Sequence, residues 1–431
     1  LSSSTDSKKG LFAWALYDWA NSAFFVMILT FIFAAYFSSA IAENENEGTA
    51  LWGNMVGLAG FVIAILAPLL GSIADEGGRR KPWVFFFTVM GVIGSGLLWF
   101  VEPSSDFIWF ALIAAFFATV GAELALIFYN AMLPDLAPPD KIGRWSGWGW
   151  GLGYLGGLLC LIVGYLVFYQ NGASLFGLDE SSAENTRITF LLTAVWYALF
   201  SIPFFLKTED TPSKEKTYKE AISNGLDRLK EGIRLLKYES DISKFLLARI
   251  FYNDALATIF AMGGVYAAGT FGFETAEIFY FGIGLNITAG IGAYGFAWLD
   301  DHSGSKKTIV ISLIGLILPV IAVIFVKSTM WFWVWGLLLG VFVGPVQAAS
   351  RTLMGRLAPV DKRNQMYGLL ALSGKVTSFV GPILVGWLTL LAGSQRIGMS
   401  VILVMLVVGL LLMFSVQEKS RHKLDTQITE A

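Results

Sequence analysis

A run of about twenty apolar residues leaves a chain few options: as a helix it spans the hydrocarbon core of a bilayer and satisfies its own backbone on the way. Such runs recur here at about residues 12–38, 52–74, 82–101, 107–133, 145–169, 188–206, 244–270, 274–299, 307–326, 329–352, 364–391 and 397–416. They are continuous and rich in Gly, Leu, Ile and Phe, unlike the short alternating segments of a membrane barrel. The expectation is an all-α membrane protein with twelve transmembrane helices. Composition leaves little alternative, because charged residues are 14% of the chain, against roughly 25% in soluble proteins. The first run holds Asp18 and Asn21 and no small-residue cleavage site, so it reads as a span and not as a removed signal.

Lys and Arg orient the spans. One set of connecting segments carries Lys8, Lys9, Arg79, Arg80, Lys81, Lys141, Arg144, the basic stretch 207–244, Lys306, Lys307, Arg356, Lys362, Arg363 and the tail residues Lys419, Arg421 and Lys423. The alternate set carries Arg187, Lys327 and Arg396 beside acids such as Glu43, Glu45, Glu47, Glu102 and Asp179. Both termini are therefore expected in the cytoplasm, in a multi-pass protein of a bacterial inner membrane with the lipid bilayer as its first partner. The longest polar stretch divides the chain. The expected organisation is an N-terminal six-helix bundle over 1–206, a cytoplasmic linker over 207–243, a C-terminal six-helix bundle over 244–416 and a cytoplasmic tail over 417–431. In the linker Ile222, Leu226, Leu229, Ile233 and Leu236 recur at helical spacing among basic residues. That is an amphipathic helix, lying either on the inner leaflet or beneath the bundle.

Several function classes lose their footing. A net charge of −2 gives no reason for a nucleic-acid partner. The single cysteine, Cys160, sits in an apolar run, and His302 and His422 fall in polar segments. No intramembrane histidine relay, metal site or cofactor is expected. No H-E-x-x-H, Gly-x-Ser-x-Gly or phosphate-binding G-x-x-x-x-G-K-[ST] pattern occurs, which argues against an enzyme or an ATP-driven pump. Motifs exclude a channel less firmly. The oligomeric expectation is a monomer.

The two halves echo each other. After span 2 the chain reads Asp75-Glu-Gly-Gly78-Arg79-Arg80-Lys81, and after span 8 Asp301-His-Ser-Gly304-Ser-Lys306-Lys307. After span 4 it reads Leu136-Ala-Pro-Pro-Asp140-Lys141, and after span 10 Leu357-Ala-Pro-Val-Asp361-Lys362. Parallel six-span halves are a transporter architecture, with the ligand at their interface near the midplane. The segment from Gly71 through Asp75 and Gly78 to Arg79 and Arg80 resembles the signature of the major facilitator superfamily between its second and third helices. A narrower resemblance, to the vacuole-effluxer-like branch (autophagy-related amino-acid effluxers), rests on five stretches. These are Tyr17-Asp18-Trp19-Ala20-Asn21-Ser22-Ala23-Phe24, Phe128-Tyr129-Asn130-Ala131, Ser146-Gly147 with the following glycines, Arg249 with Tyr252-Asn253-Asp254, and Gln347 with Ser350-Arg351. The resemblance implies the major facilitator fold and alternating access. It also implies a cytoplasmic gating motif of Gly71, Asp75, Gly78, Arg79 and Arg80, answered in the second half by Asp301, Gly304 and Lys306. It points to an amino acid as solute. Span 5 lacks the Gly-Pro pair of many drug–proton antiporters.

Ionisable residues inside spans are costly and default to functional candidates. They are Asp18 in span 1, Glu123 in span 4, Arg249 and Asp254 in span 7 and Lys375 in span 11, with Arg351 at the end of span 10. Spans 3, 6, 9 and 12 carry none in their interiors, as befits outer, lipid-facing helices. At 1.5 Å per residue, Glu123, Asp254 and Lys375 lie within about 5 Å of mid-span. These three are the first candidates for substrate or proton binding. Asp18, Asn130, Arg249, Gln347 and Arg351 lie further toward the cytoplasm and form a second polar group, which could clamp a substrate carboxylate or act as the cytoplasmic gate; Asn21 shares a helical stripe with Asp18, and Asn253 with Arg249. If each base pairs with an acid, one carboxylate is left over to carry a proton. The alternative is that these charges form static pairs between helices. The functional expectation is a secondary transporter, proton-coupled, moving a small polar solute such as an amino acid or small peptide. Export of an organic anion or drug-like compound is the alternative, and a membrane-embedded enzyme or channel a remote one.

Overall fold

The structure is a computed structural model describing residues 2–77, 79–138, 142–210, 234, 240–358, 366, 369–370 and 372–418. Within these, side chains are described except at 2–8, 68–69, 71–77, 134, 142–144, 146–147, 293–294, 297–298 and 301. The amphipathic stretch of the linker and most of the tail lie outside the described residues.

Every regular element described is helical. α1 begins as Ser2–Phe24 and continues through π-helical Phe25–Thr30, Ile32–Tyr36 and π-helical Phe37–Ile41. It is followed by α2 (Glu45–Gly77), α3 (Lys81–Leu97), α4 (Ile108–Leu136), α5 (Ile142–Val163), α6 (Glu184–Lys207) and α7 (Ser240–Phe271). After these come α8 (Thr275–Ser303), α9 (Ser305–Phe325), α10 (Thr329–Leu357), α11 (Val380–Ala392) and α12 (Gln395–Phe414). Among the described residues ten helices are long and apolar enough to cross a membrane, namely α1–α7, α9, α10 and α12. α8 is 29 residues long, but Asn286, Asp300, Asp301 and five glycines make it less apolar. α11 has 13 residues. The single continuous helix expected over 364–391 is therefore corrected: the chain leaves helical geometry at 374–379 and resumes at Val380. Gly381-Pro382 does not kink a running helix but lies in the first turn of α11, where a proline's missing N–H costs nothing. α10, by contrast, runs on through Pro345.

Large apolar side chains stand exposed in rows on α3 (Phe85, Phe86, Val89, Ile93), α6 (Val195, Leu199, Ile202, Leu206), α9 (Ile314, Leu318, Ile321, Phe325) and α12 (Val404, Leu411, Phe414). Surfaces of this kind need lipid. The chain contacts divide into two compact units. One holds Leu1–Leu226 with Ile259–Ile283 and Pro382–Gly398; the other holds Asp227–Thr258, Gly284–Gly381 and Met399–Ala431.

Inside the first unit, α5 lies against α1 along a row of small residues. A Cβ on Gly149 would sit 2.5 Å from the Asp18 carboxylate, one on Gly153 2.7 Å from Ser22 Oγ, and one on Gly157 3.3 Å from Val26. Such rows let helices approach closely where no hydrophobic effect drives them together. Gly151, on the other side, meets nothing within 4 Å. Aromatic residues fill the same unit's core: Phe33 stacks edge-on against Trp52 and Phe190 at 5.8 and 5.1 Å.

Candidate functional site

α7 presents three of the candidate residues to the break in span 11. Arg249 Nη1 donates to Leu370 O at 2.6 Å and to Ser373 Oγ at 2.8 Å, and Asn253 Nδ2 donates to Gly374 O at 2.9 Å. In a continuous α-helix those two carbonyls would accept from Gly374 and Ser378. With both engaged by side chains, the chain passes through 374–379 in tight turns. Lys375 N–H and Val376 N–H both reach Leu372 O, Ser378 N–H reaches Lys375 O, and Val380 N–H reaches Thr377 O. Asp254, 3% exposed, accepts from Gly381 N–H at 3.3 Å. Its carboxylate thus faces the first turn of α11, where the helix dipole favours a negative charge. Broken backbone at membrane depth survives only where protein or a water-filled cavity satisfies it, and transporters build ligand sites from such discontinuous helices.

The electrostatics of this region are unbalanced. Among the described residues neither Arg249 nor Asp254 has an ion-pair partner within 4.0 Å. Arg249 Nε is buried and meets no hydrogen-bond acceptor. Lys375 is half-buried within the break itself.

A second polar group surrounds α1. Tyr129 Oη donates to Asp18 Oδ2 at 3.0 Å, and the Tyr129 ring stacks on Trp14 at 4.5 Å and Tyr17 at 4.9 Å. Tyr17 Oη meets Thr88 Oγ1 at 2.5 Å and Tyr197 Oη at 2.8 Å. Asn21, buried, donates to Tyr197 Oη at 3.0 Å and to Ala122 O at 3.3 Å, while its Oδ1 has no partner. Asp18 and Asn21 thus serve different neighbours, although three residues apart. Glu123 is half-buried on α4 and Asn130 exposed at its far end. Gln347 and Arg351 are half-buried on α10, beside Ser350, whose hydroxyl meets Tyr252 Oη at 2.7 Å.

The expected gating motif is partly visible. Gly78 lies outside the described residues. Gly71 and Asp75 belong to α2 and Asp301 to α8, with the two Asp side chains outside the description. Arg79 is exposed. Arg80 Nη1 donates to Ala131 O at 2.7 Å and pairs with Asp135 at the end of α4. Asp210, just past α6, accepts from the N–H of Arg80 at 2.9 Å and of Lys81 at 3.3 Å. A similar device recurs at the start of α9 with different residues. Glu418, just past α12, accepts from Ser305 N–H at 3.2 Å, from Lys306 N–H at 2.9 Å and from Arg356 Nη1 at 2.7 Å. Arg356 also lies 3.9 Å from Asp300 on α8. Gly304, at φ +89°, makes the turn from α8 into α9 that a side chain would strain.

Sequence reasoning passed over Ser373 and Gly374 at the break and over Thr88 and Tyr197 beside Asn21. A mid-span run of mostly small or polar residues, Ser373-Gly374-Lys375-Val376-Thr377-Ser378, was the available signal for the first pair. For the second there was none, because each is an ordinary residue within an apolar helix.

Comparison with known proteins agrees with this architecture. A model of the family described as "Vacuole effluxer Atg22 like" matches residues 41–425. A Bacillus subtilis (strain 168) protein described as an uncharacterized MFS-type transporter, YxiO, is 27% identical over 419 residues, covering 96% of each chain. Autophagy-related protein 22 of Yarrowia lipolytica (strain CLIB 122 / E 150) is 22% identical, over 83% of this chain and 74% of its own. Among solved structures, a D-xylose–proton symporter superposes with a TM-score of 0.71 at 14% identity, over 96% of this chain and 98% of its own. An inward-facing bacterial homologue of the human lysosomal transporter Spinster gives 0.70 at 15% identity, over 95% and 96%. Helices fit for a bilayer, a fold shared with solved carriers and a family match over most of the length converge: the chain is a major facilitator transporter and belongs to the Atg22-like vacuole effluxer family.

Proposed function

We propose that this transporter moves a small zwitterionic solute, such as an amino acid or short peptide, and couples the movement to a proton. The solute carboxylate is taken at Arg249 and the coupling proton at Asp254. One observation carries the reading: Arg249 is held against the break in span 11 without any carboxylate within reach among the described residues, and its Nε still lacks an acceptor. A buried guanidinium so placed offers a planar donor edge to an anionic ligand. Asp254, buried with a backbone donor, has no cation within 4.0 Å among the described residues, and a proton can neutralise it when the surroundings change. The same reading takes the chain as two six-helix halves joined by the polar linker, with both termini in the cytoplasm.

The test is a thermal-shift screen of purified protein against amino acids, short peptides and monocarboxylic and dicarboxylic acids, followed by uptake in proteoliposomes with and without an imposed pH gradient. Stabilisation by zwitterions that is lost in Arg249→Lys, with uptake driven by the gradient, is the expected result. Stabilisation by organic acids alone would move the assignment to an organic-anion carrier. Uptake indifferent to the gradient would remove the proton.

A further inference from the structure

Away from the Lys/Arg-rich ends of the spans, the first unit contains a seam with a different chemistry. It joins the start of α2 to the far part of α7, to α11 and to the start of α12. Gln395, 6% exposed, lies at its centre. Its Oε1 accepts from Thr270 Oγ1 at 2.6 Å, and its Nε2 donates to Thr49 Oγ1 at 2.7 Å. Thr49 in turn donates to Glu45 O at 2.7 Å. Both ends of one amide are therefore used, and the hydrogen bonds run in one direction from α7 through α12 to α2. The amide is also tightly seated: a Cβ on Gly269 would stand 2.3 Å from Gln395 Nε2.

The rest of the seam is close backbone contact. Trp52, fully buried, donates from Nε1 to Ala261 O at 2.9 Å, and Trp387 Nε1 donates to Asn54 Oδ1 at 2.9 Å. A Cβ on Gly53 would lie 2.4 Å from Pro382 O, one on Gly264 2.4 Å from Thr30 O, and one on Gly386 2.9 Å from Ala50 Cα. The hydrogen bonds named here join neutral groups, whereas Arg80–Asp135 and Arg356–Glu418 are ion pairs at other ends of helices. Hydrogen bonds between neutral groups in a dry seam are specific and nearly indifferent to salt, and they break as a set once the backbones part.

We propose that the chain Thr270–Gln395–Thr49 is a latch closing the non-cytoplasmic end of the transport path, and that its opening admits solute from that side. Two cross-links through one amide hold three helices at once, so losing the amide releases the seam while each helix keeps its own ladder. The inference rests on the chain being a transporter and on the orientation read from Lys and Arg. It does not rest on the solute or on the proton.

The test uses the full chain with Cys160→Ala and a single reporter, Ala50→Cys, which is 4% exposed in the seam. A membrane-impermeant maleimide is added outside intact cells. Slow labelling is expected in the parent, and labelling about tenfold faster in Gln395→Leu, which loses both buried hydrogen bonds of the amide. Gly269→Ala, which displaces the amide without removing it, should act in the same direction and serves if Gln395→Leu fails to fold. Tyr36→Phe removes a hydrogen bond to Val101 O within one half and should leave the rate as it was. Unchanged labelling in a folded latch variant, equal acceleration by Tyr36→Phe, or labelling only from the cytoplasmic face would each overturn the latch. Substrate screening is independent of all three outcomes, so failure here leaves the solute assignment standing.

Discussion

The Arg249 guanidinium lies against Gly374, its Nη1 2.8 Å from the point where a Cβ would stand. The contact explains why the chain is glycine there and why the break and the cation occur together. Any side chain at 374 must push the guanidinium away from Leu370 O and Ser373. Gly374→Ala should therefore weaken solute binding more than it weakens the fold. Overpacking costs about 1–3 kcal/mol, so an apparent affinity about fivefold or more lower is expected in uptake assays, with the maximal rate less affected. Equal affinity in Gly374→Ala and the parent would separate Arg249 from the solute.

Asp254→Asn keeps the oxygen that accepts from Gly381 N–H and removes only the charge. Fold and break should survive. Proton-driven accumulation should vanish, while exchange of labelled for unlabelled solute at equal concentration on both sides continues. Glu123→Gln is the companion variant, since Glu123 lies at the middle of its span. If gradient-driven uptake persists in both variants, proton coupling through these carboxylates is excluded.

The positions of most helices were legible in the sequence because hydropathy and length alone decide whether a helix can cross a bilayer. The family was legible for another reason: polar residues such as Asp18, Asn130 and Arg249 stand inside apolar helices, in stretches that resemble its motifs. The break in span 11 was read as a continuous helix because apolar residues flank it on both sides, and its cause lies on α7. Arg249 and Asn253 take the carbonyls that the helix needed, and no local pattern announces a partner 121 residues away. The π-helical turns Phe25–Thr30 and Phe37–Ile41 in α1 were equally hidden. An extra residue per turn changes which side chain faces which neighbour without changing hydropathy.

Two glycines of α5, two residues apart, should respond oppositely to the same change. Gly149→Ala places a methyl group 2.5 Å from the Asp18 carboxylate and 3.4 Å from Tyr129 Oη. Helix and carboxylate cannot both stay in place. A loss of about 1–3 kcal/mol is expected, read as a lower thermal midpoint in detergent together with reduced transport. Gly151→Ala meets open space and should be neutral or stabilising by up to about 1 kcal/mol through helix propensity. Similar midpoints for the two variants would mean that α5 does not seat against α1 at Asp18.

Asp210, just past α6, accepts from the first N–H groups of α3, and Glu418, just past α12, accepts from the first N–H groups of α9. Removing a carboxylate there leaves donors without a partner at the positive end of a helix, at a cost of about 1 kcal/mol. Glu418→Ala should cost more than Asp210→Ala, because Arg356 loses its 2.7 Å partner and keeps only Asp300 at 3.9 Å. The two sites share no partner among the described residues, so the double variant should show the sum of the single effects within about 0.5 kcal/mol. Thermal midpoints at low and high salt supply the measurement. The Glu418 effect should shrink as salt rises, since part of it is an ion pair that is not fully buried. A Glu418→Ala loss that is smaller than that of Asp210→Ala, or that is the same at every salt concentration, would show that the carboxylate is not what holds α9 and α10 together at that end.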